Sequence, residues 1–576
     1  MDRRRFLQAG AAAGVAAAVG GPFEAWAATH RARRPVAGAA LGGYVPVDRF
    51  PSGVASGDPS DDGVVLWTRI DPAVAGGGID VDWEVADDPA FGPSSILATG
   101  TETTSPATDH TVHVEVDGLG AGATRWYRFT VDGTASPVGR TRTLPASTDR
   151  LRLAFFSCQR WVHGHYTAHA DLAGLADDPA TDVDLVVCLG DYVYEPGPAD
   201  GVTVPDRIEP DGEMLTLEDH RRQYHRYRTD LDLQAMHARY PVVAIFDNHD
   251  GMRDPDDPAG PGARAAFFEQ HAVRRDPSDP DRQHRSFALG GLAELFLLDE
   301  RQFRDPTPSE ASGNAIGTSS LDQPEMVEPG RSMLGDAQLA WLTDGLSAST
   351  AAWKLLGSQL MFSPLRSQRF VDAQEAAGDG PQRNAGRYVN LTQWDGYQAE
   401  RRLLLDHLRD DGIDDVIALA GDTHFWTTSE VPVDYDDPAS PLVLTEFGGS
   451  SISSANAGEQ TDLPGNEVIR PVVADANPYT LRFIEVETHG YGLVELTAER
   501  AAVWYRSPAT IAEPTSRSSV LAAFEVDRGT NRIRQVVGEG FLARPEDPAT
   551  PVVPGPAAAP PADAAAPVAG APTYTG

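Results

Sequence analysis

Four short stretches of this 576-residue chain carry side chains that could hold metal ions, and each follows an apolar run. They are Phe156-Ser157-Cys158-Gln159, Gly190-Asp191-Tyr192-Val193-Tyr194-Glu195, Phe246-Asp247-Asn248-His249-Asp250 and Gly421-Asp422-Thr423-His424-Phe425-Trp426. Between them they offer a thiol, several carboxylates, a phenol, an amide oxygen and imidazoles. Hard oxygen donors in this number suit Fe(III), Mn(II) or Ca(II) better than a structural zinc. Asp191 could bridge two cations about 3.5–4 Å apart, the separation used in two-metal phosphoester hydrolysis. Taken singly, each residue has a plainer role open to it. Cys158 could be a core thiol or half of a Cys158–Cys188 bridge, Tyr194 could simply pack, and Asp422 with His424 could cap a helix. His249 could be a hydrogen-bonded structural histidine. Arg301 could either pair with a carboxylate or bind phosphate.

What argues for convergence is the kind of element that precedes each stretch. Leu185 to Leu189 is an unbroken apolar run, the pattern of a parallel strand buried on both faces. Gly190 then lets the backbone turn tightly, and Asp191 follows at the strand's C-terminal end, where open α/β sheets place their ligands. Leu151–Ser157, Val242–Phe246, Ala293–Leu298, Trp353–Gly357 and Val416–Ala420 read the same way. Helices are expected over 165–176, 218–240, 336–346 and 394–410. The result is a large α/β catalytic domain over 150–543. Residues 49–145 instead alternate with period two in Val64–Arg69, Val81–Val85, Val112–Val116 and Trp126–Val131, and predict an N-terminal, fibronectin-like β-sandwich. The polar segments 251–285, 305–331 and 365–390 read as long loops.

Composition narrows the function further. A net charge of −37 repels nucleic acid and anionic lipid, so neither is an expected partner. An anionic substrate then needs a locally cationic site. Arg3-Arg4-Arg5-Phe6-Leu7, an Ala/Gly-rich run and Ala25-Trp26-Ala27 resemble a twin-arginine export signal over 1–27. This implies the twin-arginine machinery as a partner, a periplasmic, cell-wall or extracellular destination, and metal loading before export. Residues 28–48 read as a linker and 544–576 as a Pro/Ala-rich spacer. No segment of the mature chain is apolar enough to span a membrane.

The order Gly-Asp-x-x-Tyr, Asn-His-Asp, Gly-Asp-x-His is similar to the calcineurin-type metallophosphoesterase superfamily. More closely, the chain resembles PhoD-type alkaline phosphatases along nearly its whole mature length. The matching motifs include Phe50-Pro-Ser-Gly-Val-Ala-Ser-Gly-Asp58, Leu298-Asp-Glu-Arg-Gln-Phe-Arg-Asp305, Trp394-Asp-Gly-Tyr397 and Ser450-Ser-Ile-Ser-Ser454. The resemblance implies an αββα sandwich and hydrolysis of phosphomonoesters, and in some cases diesters. It also implies Fe(III) held by Cys158, Asp191, Tyr194 and His424, with Ca(II) beside it. Asp191 would bridge, and Asn248 or Asp247, with Asp422, would serve the calcium side. The chain departs from the family in having Asp247-Asn248-His249-Asp250 where Asp-Asp-His-Glu is more usual. His249, next to Asn248, is placed to protonate a leaving alkoxide; Asp191 and Arg301 complete the expected catalytic set. Two alternatives stand beside this reading: a phosphodiesterase or phospholipase D-like enzyme on the same scaffold, and a non-catalytic calcium-binding envelope protein.

Overall fold

A computed structural model describes residues 44–197, 202–252, 255, 257–308, 324–367, 387–461 and 464–542. The twin-arginine segment, most of the 28–48 linker and the 544–576 tail lie outside these described residues. Two sheets dominate. In the first, Arg150–Phe156, Leu185–Cys188 and Pro241–Ala244 run parallel at the centre. In the second, Ala293–Leu297, Trp353–Ser358, Val416–Ala420 and Leu442–Gly448 are parallel neighbours.

Alternation along these strands decides what each face touches. Leu153, Phe155, Leu185, Val187 and Ile245 point inward and meet Leu295, Leu297, Leu355, Ile417 and Leu419 of the second sheet. The outward residues of the first sheet, among them Ala154, Phe156, Val186 and Ala244, are covered by helices Thr167–Leu175, Leu217–Tyr227, Leu231–His237 and Gly260–Gln270. Those of the second, Phe296, Leu356 and Ala418, are covered by helices Gly335–Ala348 and Gln398–Asp410. The layers are therefore α, β, β, α, as the motifs implied. A fully buried side chain of this kind contributes about 2 kcal/mol, so this double core can hold a polar strand-end edge in place.

Three local expectations change. The helix expected over 218–240 is two helices, because Asp230 caps the second by accepting from the amides of Asp232 and Leu233. The supposed loop 251–285 contains the helix Gly260–Gln270. Beyond Trp426, where the sequence pattern predicts no strands, the described residues form seven: Trp426–Pro432, Leu442–Gly448, Leu481–Glu485, Tyr491–Thr497, Arg500–Pro508, Ser518–Asp527 and Ile533–Val537.

The sandwich strands form, but they are shared with the larger unit. Asp80–Ala86, Ile96–Thr103, Thr124–Val131, Thr134–Ala135 and Gly139–Arg142 make their own five-stranded sheet. Val54–Gly57, Val64–Arg69 and Thr111–Val116 instead extend the first sheet to ten strands, with Ser56 beside Pro241 and Gly57 beside Val242. The seam between 49–145 and the rest is thus backbone pairing rather than a linker. Asp58, held at φ +38° at the end of its strand, fastens it. Its Oδ1 accepts from Arg285 Nη2 at 2.8 Å and its Oδ2 from the Arg274 amide at 2.9 Å. Asp58→Ala would take from the half-buried Arg285 its counter-ion, a loss of about 2 kcal/mol. Urea unfolding should show that loss, while turnover per folded molecule stays unchanged; an unaltered midpoint would refute the clamp.

Candidate active site

The four strand ends meet at one edge of the double sheet. Strands from both sheets deliver them: Cys158, Asp191 and Asp247 from the first, Asp422 and His424 from the second. Cys158, Asp191, Asp422 and His424 all adopt left-handed backbone, with φ of +59°, +54°, +65° and +57°. Non-glycine residues enter this region at a cost, and such strain gathers where function requires a side chain to be aimed. Gly190, at φ +102°, is needed for close approach, because a Cβ there would lie 2.4 Å from that of Asp247.

Asp191 is the hub. Its Oδ2 accepts from the Tyr194 hydroxyl at 2.7 Å and from the Cys158 thiol at 3.6 Å, and its Oδ1 from the His249 amide at 3.0 Å. The Tyr194 hydroxyl is also 3.2 Å from His424 Nε2. His424 Nδ1 faces the Ala455 carbonyl at 2.7 Å, which assigns the proton to Nδ1 and leaves the Nε2 lone pair for the site. Candidate ligand atoms of Cys158, Asp191 and His424 lie within 4.8 Å of one another, and so do those of Asp191, Asp247 and Asp422. Asp191 is the one residue common to both groups. Cys158 and Cys188 are both free, buried thiols, so the bridge between them is absent.

Of the two roles open to Arg301, the structure has carboxylate pairing. The guanidinium is buried and donates to Asp247 Oδ1, to Asn248 Oδ1 at 3.1 Å and to Asp422 Oδ1 at 3.2 Å. Gln393 Nε2 donates to the other oxygen of Asp422. Asp250 clamps two of the turns together, accepting from the Val193 amide at 2.9 Å and the Asp247 amide at 2.8 Å. Sequence reasoning gave no role to Gln393, Asp250 or Glu195. Glu195 lay inside a recognised stretch and Gln393 directly precedes the Trp394 motif; those adjacencies were the available signals.

The electrostatics test whether cations fit. Burial pushes the carboxyl pKa values of Asp191 and Asp422 up, and that of Asp247 up to about 6. Burial, reinforced by Asp191, also pushes the Cys158 thiol and the Tyr194 phenol well above their ordinary values. Asp247 Oδ2 is buried and has no hydrogen-bond partner among the described residues. A thiol, a phenol and three carboxylates gathered around one guanidinium and one imidazolium form an anionic donor set short of positive charge, so resident cations fit it.

Fold and edge chemistry together define a hydrolase of the metallophosphoesterase type, in which a double sheet presents acidic and imidazole groups from the ends of parallel strands. The chain belongs to the PhoD-like phosphatase family: the model described as "PhoD-like phosphatase" matches residues 153–505, and "PhoD-like phosphatase, N-terminal domain" matches 40–145. It is 32% identical to the Bacillus subtilis (strain 168) protein "Alkaline phosphatase D", over 93% of this chain and 89% of that one. A solved structure titled "Structure of PhoD" superposes with a TM-score of 0.73 at 31% identity, covering 86% of this chain and 94% of that one. The protein is accordingly a phosphoric ester hydrolase.

Proposed function

We propose that this phosphatase holds Fe(III) through Cys158, Asp191, Tyr194 and His424, and Ca(II) through Asp191, Asp422 and either Asp247 or Asn248. The observation that carries the reading is the membership of Asp191 in both ligand groups. Bound there, the cations would supply the Lewis acidity that polarises a phosphate ester and lowers the pKa of an attacking water. The chain's own groups would do the rest. Arg301 holds Asp247, Asn248 and Asp422 in one cluster, and Gln393 orients the remaining oxygen of Asp422. His249 donates from Nδ1 to Glu195 Oε2 at 2.7 Å, and its ring stacks on Tyr194 at 4.2 Å between centroids. Burial lowers its pKa, but the Asp191 charge and the Glu195 hydrogen bond outweigh that and raise it to about 9. With Nδ1 held by Glu195, the ring presents Nε2 to a leaving group, and the Glu195 contact favours the protonated form.

A phenolate on Fe(III) absorbs in the visible. The enzyme purified from its own host should be coloured, and Tyr194→Phe should bleach it. A colourless, iron-free and fully active enzyme would remove Fe(III) from the assignment. Export by the twin-arginine route belongs to the same proposal and rests on Arg3-Arg4-Arg5-Phe6-Leu7. Among the described residues no helix is long and apolar enough to cross a membrane. Replacing Arg3 and Arg4 with lysine should keep the enzyme in the cytoplasmic fraction; unchanged export would point to another route.

A further inference from the structure

The serine-rich stretch Ser450–Ser454 supplies none of the ligands named above, yet it is buried throughout. It leaves the strand Leu442–Gly448 of the second sheet and reaches across to the first. There the Ile452 amide donates to the Ser157 carbonyl at 3.0 Å, and the amides of Ser453 and Ser454 donate to the Cys158 carbonyl at 3.3 and 3.1 Å. One residue later the Ala455 carbonyl receives His424 Nδ1. A single loop thus grips the backbone of Cys158 and the ring of His424, which come from different sheets and whose backbones are both strained.

A histidine closes the base of this loop. His489 Nδ1 is 3.0 Å from Ser451 Oγ at the loop's start. Its Nε2 is 3.2 Å from Glu459 Oε2, and the same oxygen accepts the Asn456 amide at 3.0 Å at the loop's end. Serine, histidine and glutamate in that order can form a nucleophilic triad. Here Ser451 is fully buried and its hydroxyl donates to the Ser454 carbonyl at 2.5 Å, so the relay is spent within the loop.

We propose that His489, braced by Glu459, is a positioning residue for the metal centre, closing the Ser451–Asn456 loop so that Cys158 and His424 stay at ligating separation. The inference rests on the reading of those two residues as iron ligands. Partners one step beyond the ligands typically change metal affinity by about 10–100-fold when removed. His489 touches the loop rather than a ligand, so on the iron-loaded enzyme His489→Ala should lose iron to EDTA up to about 10-fold faster than wild type, the low end of that range, and should shift the visible tyrosinate band. His489→Gln, which keeps a hydrogen-bonding side chain, should recover part of both. Asp58→Ala serves as the comparison, being destabilised at a contact that does not involve the Ser451–Asn456 loop. If it releases iron as fast as His489→Ala, the effect is general loosening and the proposal fails. A wild-type band and release rate in His489→Ala also overturn it, leaving the metal reading intact. A wild-type enzyme with no tyrosinate–iron band overturns both.

Discussion

Asp191→Asn should abolish turnover of p-nitrophenyl phosphate, by at least about 10³-fold or ~4 kcal/mol of transition-state stabilisation, and should lose both metals. The argument starts from the atoms. One carboxylate serves the Tyr194 hydroxyl and the Cys158 thiol with one oxygen and the His249 amide with the other. An asparagine removes the shared negative charge; its oxygen can keep the His249 amide, and its NH2 then faces the Tyr194 hydroxyl, which can accept it and donate to His424 Nε2. The fold itself does not depend on that charge. Burial already pushes the Asp191 carboxyl pKa up, which means that the ionised side chain is unfavourable in the folded protein until cations compensate it. The stability effect should therefore change sign with metal. In EDTA the variant should melt no lower than wild type, whereas in metal-replete buffer wild type should gain stability by mass action and the variant should not. Elemental analysis with paired melts in the two buffers reads both halves. Stoichiometric iron and calcium in Asp191→Asn would show that this carboxylate is not the bridge.

The parts of this site that could be read from sequence are those whose signal is local. Leu185–Leu189 and Val416–Ala420 announce strands buried on both faces, and a polar residue directly after such a run has to emerge at the sheet's edge; Asp191 and Asp422 do so. The missing parts depend on chain segments far apart. Nothing local to Val54–Gly57 says that it will pair with Pro241–Ala244 rather than stay within its own sandwich. Glu195 reaches His249, Gln393 reaches Asp422, and Ala455 reaches His424 through folding alone. The C-terminal strands escaped for a different reason. Val503 and Tyr505 face the central core while Ala502 and Trp504 face the helical layer, so both faces are apolar and the period-two signal is blurred. Arg301 shows the same limit at a single residue. Its type allowed phosphate or carboxylate as partner, and the carboxylate contacts form only because folding brings the Asp247 and Asp422 strand ends to it.

His249→Ala should separate substrates by their leaving groups. A nitrophenolate departs readily without a proton, whereas an alkoxide needs one as the P–O bond breaks. The variant should lose about 10²–10⁴-fold on alkyl phosphates, the usual scale for a positioned acid, and much less on p-nitrophenyl phosphate. Both metals should remain, because Nδ1 is committed to Glu195 and the ring lies flat on Tyr194 rather than among the carboxylates. Glu195 supplies a second handle. Its hydrogen bond and charge raise the His249 pKa independently of Asp191, so removing the charge lowers the pH at which the proton is lost. Glu195→Gln removes the charge and should move the alkaline limb for alkyl phosphates to lower pH, with the nitrophenyl profile nearly unchanged. The pair of pH profiles is the measurement. Equal losses on both substrates in His249→Ala, together with loss of metal, would make His249 a ligand and place the acid elsewhere.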